Sequence, residues 1–277
     1  MTLVSTVAPL AGYAIVFQTI VYLLLPARRR TLWAPVLTGI AGAVVTLGAG
    51  WIFGFETIGL GSPDMAVVFA WALATVVVMS AVGFSMLRNP TLRSQLADPR
   101  LAALTRSQML TQVFVRIPVM TALIEEAFFR GVLHAALIAL YPPSVALVGG
   151  AVLFGLWHVG PGFDQAQASG RGWRGNALHV GVTVLVTSLA GAALVWLRME
   201  TGSIWAPVAV HAAVNMSMAV FARLALSHQR AAATKPTAGC SVGPFFSRRF
   251  QIEIGTSLTT IGRHQGNMRW SKTATAI

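Results

Sequence analysis

The stretch "ALIEEAFFRGVLH", from Ala122 to His134, places two glutamates, an arginine and a histidine inside a run that is otherwise apolar. The whole run, about 113–140, is long enough to cross a bilayer as a helix, which takes roughly 20 predominantly apolar residues. Ionisable side chains inside a membrane cost free energy and by default mark function. The stretch therefore predicts a membrane helix that carries part of a functional site.

The composition extends this interpretation to the whole chain. Of 277 residues, 55% are hydrophobic and only 10% are charged, and the mean hydropathy is +0.69. Soluble domains carry about 25% charged residues, so a polytopic membrane protein is indicated. The net charge of +12 comes from basic residues scattered between apolar runs, so we expect no nucleic-acid partner. The single cysteine, Cys240, excludes an intrachain disulfide and a cysteine-based metal cluster.

Apolar runs of suitable length predict the fold class: an all-α, polytopic membrane helix bundle of about seven transmembrane helices that encloses a polar cavity. We divide the chain into N-terminal helices with a cytoplasmic loop (1–108), a core (109–226) and a basic, disordered cytoplasmic tail (227–277). We interpret the Gly-rich segment 160–176 as a solvated connector or a mobile lid. The seven runs are about 7–25, 33–54, 66–87, 113–140, 144–160, 177–197 and 203–226.

The basic residues predict the orientation of the bundle. Cytoplasmic loops are enriched in Lys and Arg. If Arg28, Arg29 and Arg30 lie in the cytoplasm, every basic residue except Arg130 and Arg198 falls on the cytoplasmic side. We therefore expect a multi-pass protein of the cell membrane, with the N-terminus outside and the C-terminus in the cytoplasm.

Helical geometry sorts the polar residues within the spans. Glu126 and Arg130 are four residues apart and can form a pair on one face. Glu125 points about 100° away and needs a partner on another helix. His134 and His179 are interpreted as structural hydrogen-bonding residues between helices.

Two further spans supply partners for Glu125. His158 closes "FGLWH", with Phe154 one turn back on the same face, and His211 and Asn215 lie four residues apart in "HAAVN". We expect three helices to bring these side chains to one cavity. The depths of His158 and His211 then agree only if the helices are tilted or unequal in length, or if the predicted boundaries are misplaced.

This set of residues predicts hydrolysis of an amide bond in either of two ways. A carboxylate beside an imidazole can take a proton from water, and a histidine with an asparagine amide can donate to an oxyanion. Alternatively, Glu125, His158 and His211 are a competent zinc set that leaves one position for water. The HExxH spacing of one class of zinc protease is absent.

Three motifs resemble the CAAX protease and bacteriocin-processing family, the type II CAAX prenyl endopeptidase-like intramembrane proteases. "EEAFFR", "FGLWH" and "GSIWAPVAVHAAVN" match its EExxxR, FxxxH and HxxxN motifs, in order, over about residues 110–220. The resemblance implies a bundle open to the cytosol, membrane lipid as a neighbour, and a peptide or prenylated protein as substrate. By matching position it implies that Glu125 and His158 activate water, that His211 and Asn215 form the oxyanion hole, and that Glu126 and Arg130 orient Glu125.

Two other classes of function stay open at this point. Some bacterial members of the family are linked to bacteriocin maturation or self-immunity, so the same cavity could bind a lipid or peptide without catalysis. Glutamate and histidine relays also occur in proton-coupled transporters. However, neither matching broken helices nor pseudo-symmetric halves are visible in the sequence, which disfavours a transporter.

Overall fold

A computed structural model of the chain describes residues 9, 10, 12, 16, 20, 27–170 and 172–233. The first predicted span, about 7–25, falls almost wholly outside these residues, and the predicted tail lies outside them from residue 234 onward. The described part contains helices and their connections and no β-strand. The predicted all-α membrane bundle is confirmed.

Six helical segments among the described residues are long and apolar enough to cross a membrane. They correspond to six of the seven predicted runs, with shifted boundaries, so the estimate of about seven was close. The helices are α1 (Ala27–Phe53), α2 (Met65–Arg88), α3 (Pro90–Leu96), α4 (Arg106–Ile138), α5 (Pro143–Trp157), α6 (Val159–Ala168), α7 (Trp173–Thr201) and α8 (Trp205–Ala233). The short helix α3 lies in the connection between α2 and α4.

Helix α4, which carries the glutamate pair, is irregular. A capping box between Thr105 and Gln108 starts it. Its backbone is then π-helical over Gln112–Leu123 and again over Ala127–Leu133. The glutamates lie in the short α-helical segment Ile124–Glu126 between the two π-helical segments. Wide π-helical turns are rare and frequently occur at functional sites.

The predicted end of the fifth span is wrong. The sequence Gly160-Pro161-Gly162 is typical of a helix end. The structure instead continues as the helix α6, and α5 and α6 together form one candidate span of 26 residues. Pro161 is tolerated because it lies in the first turn of α6, where a backbone N–H has no helical partner. His158 separates the two helices at φ −88°, ψ 2°, well inside the span. A span that extends to the end of α6 would remove the mismatch in depth between His158 and His211.

The connection between α1 and α2 packs against the bundle. Ile58 is buried in the core against the aromatic side chains of α4, and the Gly59 carbonyl accepts a hydrogen bond of 3.0 Å from the Ile204 backbone N–H. Gly59 has φ +78°, and a Cβ there would overlap the Arg198 guanidinium. Arg198, one of the two basic residues that the predicted orientation does not place on the cytoplasmic side, lies in the last turn of α7 and donates to the Arg130 carbonyl oxygen at 3.3 Å.

Small residues bring α5 and α7 close together. Gly155 lies against Ser188 and the Val184 carbonyl, and Gly191 lies against Phe154. Close approach over small side chains is the usual way in which membrane helices gain packing energy. Because Phe154 and His158 belong to α5 and its junction with α6, this packing fixes their position relative to α7.

Candidate active site

Glu126 is the centre of the buried polar cluster. Its Oε1 atom accepts a hydrogen bond from Arg130 Nη1 at 3.0 Å and another from His211 Nδ1 at 2.7 Å. The Glu126 and Arg130 side chains are both fully buried. The predicted Glu126–Arg130 pair is present. Glu126 also has a second partner, His211, which lies on α8. These hydrogen bonds are charge-assisted and therefore stronger than neutral ones.

The hydrogen bonds of His211 define its tautomer. Glu126 pairs with an arginine, which stays protonated in proteins, so its carboxylate is ionised and can only accept. Nδ1 of His211 must then carry a proton. The other ring nitrogen, Nε2, lies 4.0 Å from Glu125 Oε2. One water molecule can bridge this gap with two hydrogen bonds of ordinary length.

The two carboxylate oxygens of Glu125 differ in their hydrogen bonding. Its Oε1 atom accepts a hydrogen bond of 3.2 Å from the indole Nε1 of Trp157. Its Oε2 atom is buried and has no hydrogen-bond partner among the described residues. A buried acceptor that is left unpaired costs free energy, so such atoms are expected to serve a ligand, a water molecule or a reaction.

His158 and Phe154 meet this cluster from α5. Nδ1 of His158 lies 2.8 Å from the Phe154 carbonyl oxygen, and because a carbonyl only accepts, Nδ1 is the protonated nitrogen. The Phe154 ring has its centroid 4.7 Å from that of His158 and 5.9 Å from that of His211. Arg130 Cζ lies 4.1 Å from the same centroid, in cation–π geometry. Phe154 is thus a buried support shared by three polar residues.

A cavity of about 410 Å³ adjoins the cluster. Its volume lies within the usual range for small-molecule sites. His158, His211 and Asn215 all line it, which places three of the four predicted catalytic residues on one surface. The rest of the lining is mainly apolar and includes Trp71 and Trp196, which pack edge to face. The predicted polar cavity is therefore mainly apolar, and its polar lining consists of these three side chains together with Thr75 and Thr187.

Two contacts were not apparent from the sequence. One is the hydrogen bond from Trp157 to Glu125, because nothing in "FGLWH" marks the tryptophan as a donor to a carboxylate. The other is the hydrogen bond from His211 to Glu126, which joins residues 85 positions apart. His134 is buried, but its Nδ1 atom has no hydrogen-bond partner among the described residues. The structure thus gives no support, at this nitrogen, for the predicted bond between helices. His179 lies half-buried on α7.

The predicted zinc set is not assembled in the described part of the chain. No group of three His, Cys, Asp or Glu side chains there is placed to hold a metal ion. Glu125, His158 and His211 converge on one region, and Nδ1 of each histidine faces a protein oxygen, Phe154 O or Glu126 Oε1, which leaves Nε2 of each ring as the nitrogen that could bind a metal. In their present positions these three side chains do not form a zinc site, and a zinc chelator tests whether activity depends on a metal.

Fold and site together define a polytopic helical membrane protein with a buried cluster of carboxylate, imidazole and amide groups beside a largely apolar cavity. Residues 107–217 match the family model described as "Type II CAAX prenyl endopeptidase Rce1-like". The resemblance found from three motifs is thereby confirmed over this part of the chain, which contains every residue of the cluster. No curated protein and no solved structure gave a significant match to the chain.

Proposed function

We propose that this protein is an intramembrane endopeptidase that hydrolyses a peptide bond near the cytoplasmic face of the membrane. The observation that carries the proposal is the open Oε2 atom of Glu125, which lies 4.0 Å from His211 Nε2. A water molecule between these atoms would be polarised by a buried base, next to a cavity in which a substrate can bind. In the orientation that the basic residues predict, the N-terminus is outside and the C-terminus is cytoplasmic.

Glu125 acts as the general base in this proposal. Its Oε2 atom takes a proton from the water while the water oxygen bonds to the carbonyl carbon of the scissile peptide. Breakdown of the tetrahedral intermediate then breaks the C–N bond, and the proton passes from Glu125 to the leaving amine. His158 assists from the cavity wall, because its Nε2 atom is free to accept a proton when Nδ1 donates to Phe154.

His211 and Asn215 stabilise the oxyanion. For His211 Nε2 to donate, the ring must carry protons on both nitrogens. The cluster balances that charge, because two carboxylates, Glu125 and Glu126, then face two cations, Arg130 and His211. Balanced charges reduce the cost of keeping ionised groups inside a membrane. Asn215 lies one helical turn after His211 and lines the same cavity.

The apolar part of the cavity supports an apolar group on the substrate. A prenyl chain of a CAAX-like peptide, or the apolar side chains of a bacteriocin-type peptide, would bury surface against Trp71, Trp196 and Leu194. Burial of apolar area is the main source of affinity in such pockets. The peptide bond would then lie at the end of the cavity where His158, His211 and Asn215 are exposed.

The proposal is tested with purified protein in detergent and quenched fluorescent peptides, each made with and without a farnesylated cysteine. We expect the wild-type protein to cleave at least one peptide series. Parallel reactions with a zinc chelator distinguish the mechanisms, since a glutamate-dependent enzyme keeps its activity and a zinc enzyme loses it. Binding of the peptides without cleavage of any would contradict the proposal and favour a non-catalytic immunity or lipid- and peptide-binding protein.

Removal of the Asn215 amide tests the oxyanion hole. We expect Asn215→Ala to lower kcat about 100-fold with little change in KM, because the amide acts mainly on charge that develops in the transition state. Steady-state kinetics on the cleaved peptide measure both constants. Ser217→Ala is the matched control, since Ser217 lies on the same helix but lines a different groove. A rise in KM with unchanged kcat would instead assign Asn215 to substrate binding.

A further inference from the structure

Trp157 makes the one hydrogen bond that the described structure gives to the Glu125 carboxylate. Its indole Nε1 donates to Oε1 at 3.2 Å. The tryptophan is 6% exposed, so the bond is shielded from solvent. Hydrogen bonds to charged groups are among the more valuable ones in proteins, and more so where the local dielectric constant is low.

The indole is held firmly in place. Trp157 is the last residue of α5, directly before His158. Its ring packs edge to face on Phe129, with 5.6 Å between centroids, and Phe129 packs in turn on Phe154 at 5.1 Å. The donor thus belongs to the same aromatic cluster that supports His158 and His211.

The chemistry of the indole suits this position. An indole N–H only donates and does not take up a proton. It therefore fixes one carboxylate oxygen without competing for the proton of an attacking water molecule. With Oε1 occupied, the open atom of Glu125 is Oε2, the atom that faces His211 Nε2 at 4.0 Å.

We propose that Trp157 is a positioning residue that orients the Glu125 carboxylate so that Oε2 alone serves as the base. This inference rests on the proposed function. Without the indole N–H, the carboxylate can rotate about its terminal bond, and the fraction of molecules with an oxygen directed toward His211 falls. Binding of the substrate in the apolar cavity does not involve this bond, so the effect falls on the chemical step.

The experiment compares Trp157→Phe with wild type on the cleaved peptide. Phenylalanine keeps an aromatic ring in the cluster and removes the donor. We expect kcat to fall about 10- to 100-fold, the equivalent of one hydrogen bond to a charged group, while KM changes less than about 2-fold. Trp205→Phe is the matched control, because this substitution also removes an indole hydrogen bond, of 3.0 Å, but one whose acceptor is the Gly61 carbonyl and not a residue of the cluster.

The same substitution in a Glu125→Asp protein distinguishes a positioning role of Trp157 from a packing role. Glu125→Asp shortens the side chain by one methylene and withdraws its oxygens from the indole. In that background Trp157→Phe should cost less than about 2-fold in kcat, because the two changes remove the same interaction. An equal loss in both backgrounds would show that Trp157 acts through packing and would overturn the inference.

Failure of this inference is distinguishable from failure of the proposed function. Full activity of Trp157→Phe beside an inactive Glu125→Gln overturns the role of Trp157 alone, whereas failure of the wild-type protein to cleave any peptide overturns the proposed function. If Trp157→Phe does not fold, the benzothiophene analogue of tryptophan is incorporated at position 157. This analogue keeps the shape of the indole and lacks its N–H, so the same loss in kcat is expected, and wild-type kcat overturns the inference.

Discussion

Glu125→Gln is expected to lower kcat for peptide cleavage by about 1,000-fold, within the range attributed to general acid–base catalysis. The amide has nearly the shape of the carboxylate but cannot take a proton from water. Its carbonyl oxygen can still accept from Trp157 Nε1, so the local packing should persist. The loss should therefore appear in turnover, with the thermal unfolding temperature close to that of wild type.

Steady-state kinetics and a thermal unfolding curve in the same detergent check this expectation. Glu200→Gln serves as the control, because Glu200 is exposed near the end of α7 and removal of its charge changes nothing in the cluster. Turnover by Glu125→Gln within about 10-fold of wild type would contradict the assignment of Glu125 as the general base. The base would then have to be sought among the histidines that line the cavity.

Local spacing was sufficient to predict part of the cluster. Glu126 and Arg130 are four residues apart, and helical periodicity alone places them together, as the 3.0 Å hydrogen bond shows. His211 and Asn215 have the same spacing and line one cavity. Such predictions succeed because the relative direction of two side chains within one turn depends on the backbone of that turn alone.

Contacts between helices were not predictable in the same way. The sequence suggested that Glu126 is neutralised by Arg130 and helps to orient Glu125, whereas the structure has Glu126 bound to His211 as well, at 2.7 Å. Which residues meet across two helices depends on their rotation and crossing angle. The π-helical turns on both sides of the glutamates also change the directions that a regular helix would give.

The aromatic residues of the site were the hardest to recognise from the sequence. Trp157 and Phe154 are aromatic residues in an apolar span, where such residues are common, so nothing in their type marks them as partners of charged groups. Their roles follow from one atom in each case, the indole Nε1 of Trp157 and the carbonyl oxygen of Phe154. Only the packing of α4 against α5 brings Trp157 to Glu125.

Removal of the Arg130 charge should have the largest effect on stability. In Arg130→Met, the fully buried carboxylate of Glu126 loses its cation. Breaking one side of a buried ion pair typically costs about 3–5 kcal/mol, because the remaining charge is left uncompensated. The Gly191 carbonyl oxygen also loses the hydrogen bond of 3.2 Å that Arg130 Nη2 donates to it, and the Phe154 ring loses its cation–π contact with Arg130. The free energy of unfolding, measured by denaturant titration in mixed micelles, should fall by that amount.

A double variant shows whether charge or packing is responsible. In Glu126→Gln/Arg130→Met the buried charge is gone from both positions, and the amide oxygen introduced at position 126 can still accept a hydrogen bond from His211. We therefore expect the double variant to be more stable than Arg130→Met alone, since replacing both partners of a buried pair is often nearly neutral. Arg88→Met, at an exposed arginine at the end of α2, should change stability by less than about 1 kcal/mol. If the double variant is no more stable than Arg130→Met, the arginine contributes through its contacts with Phe154 and Gly191, and the Glu126 charge must be satisfied by His211 alone.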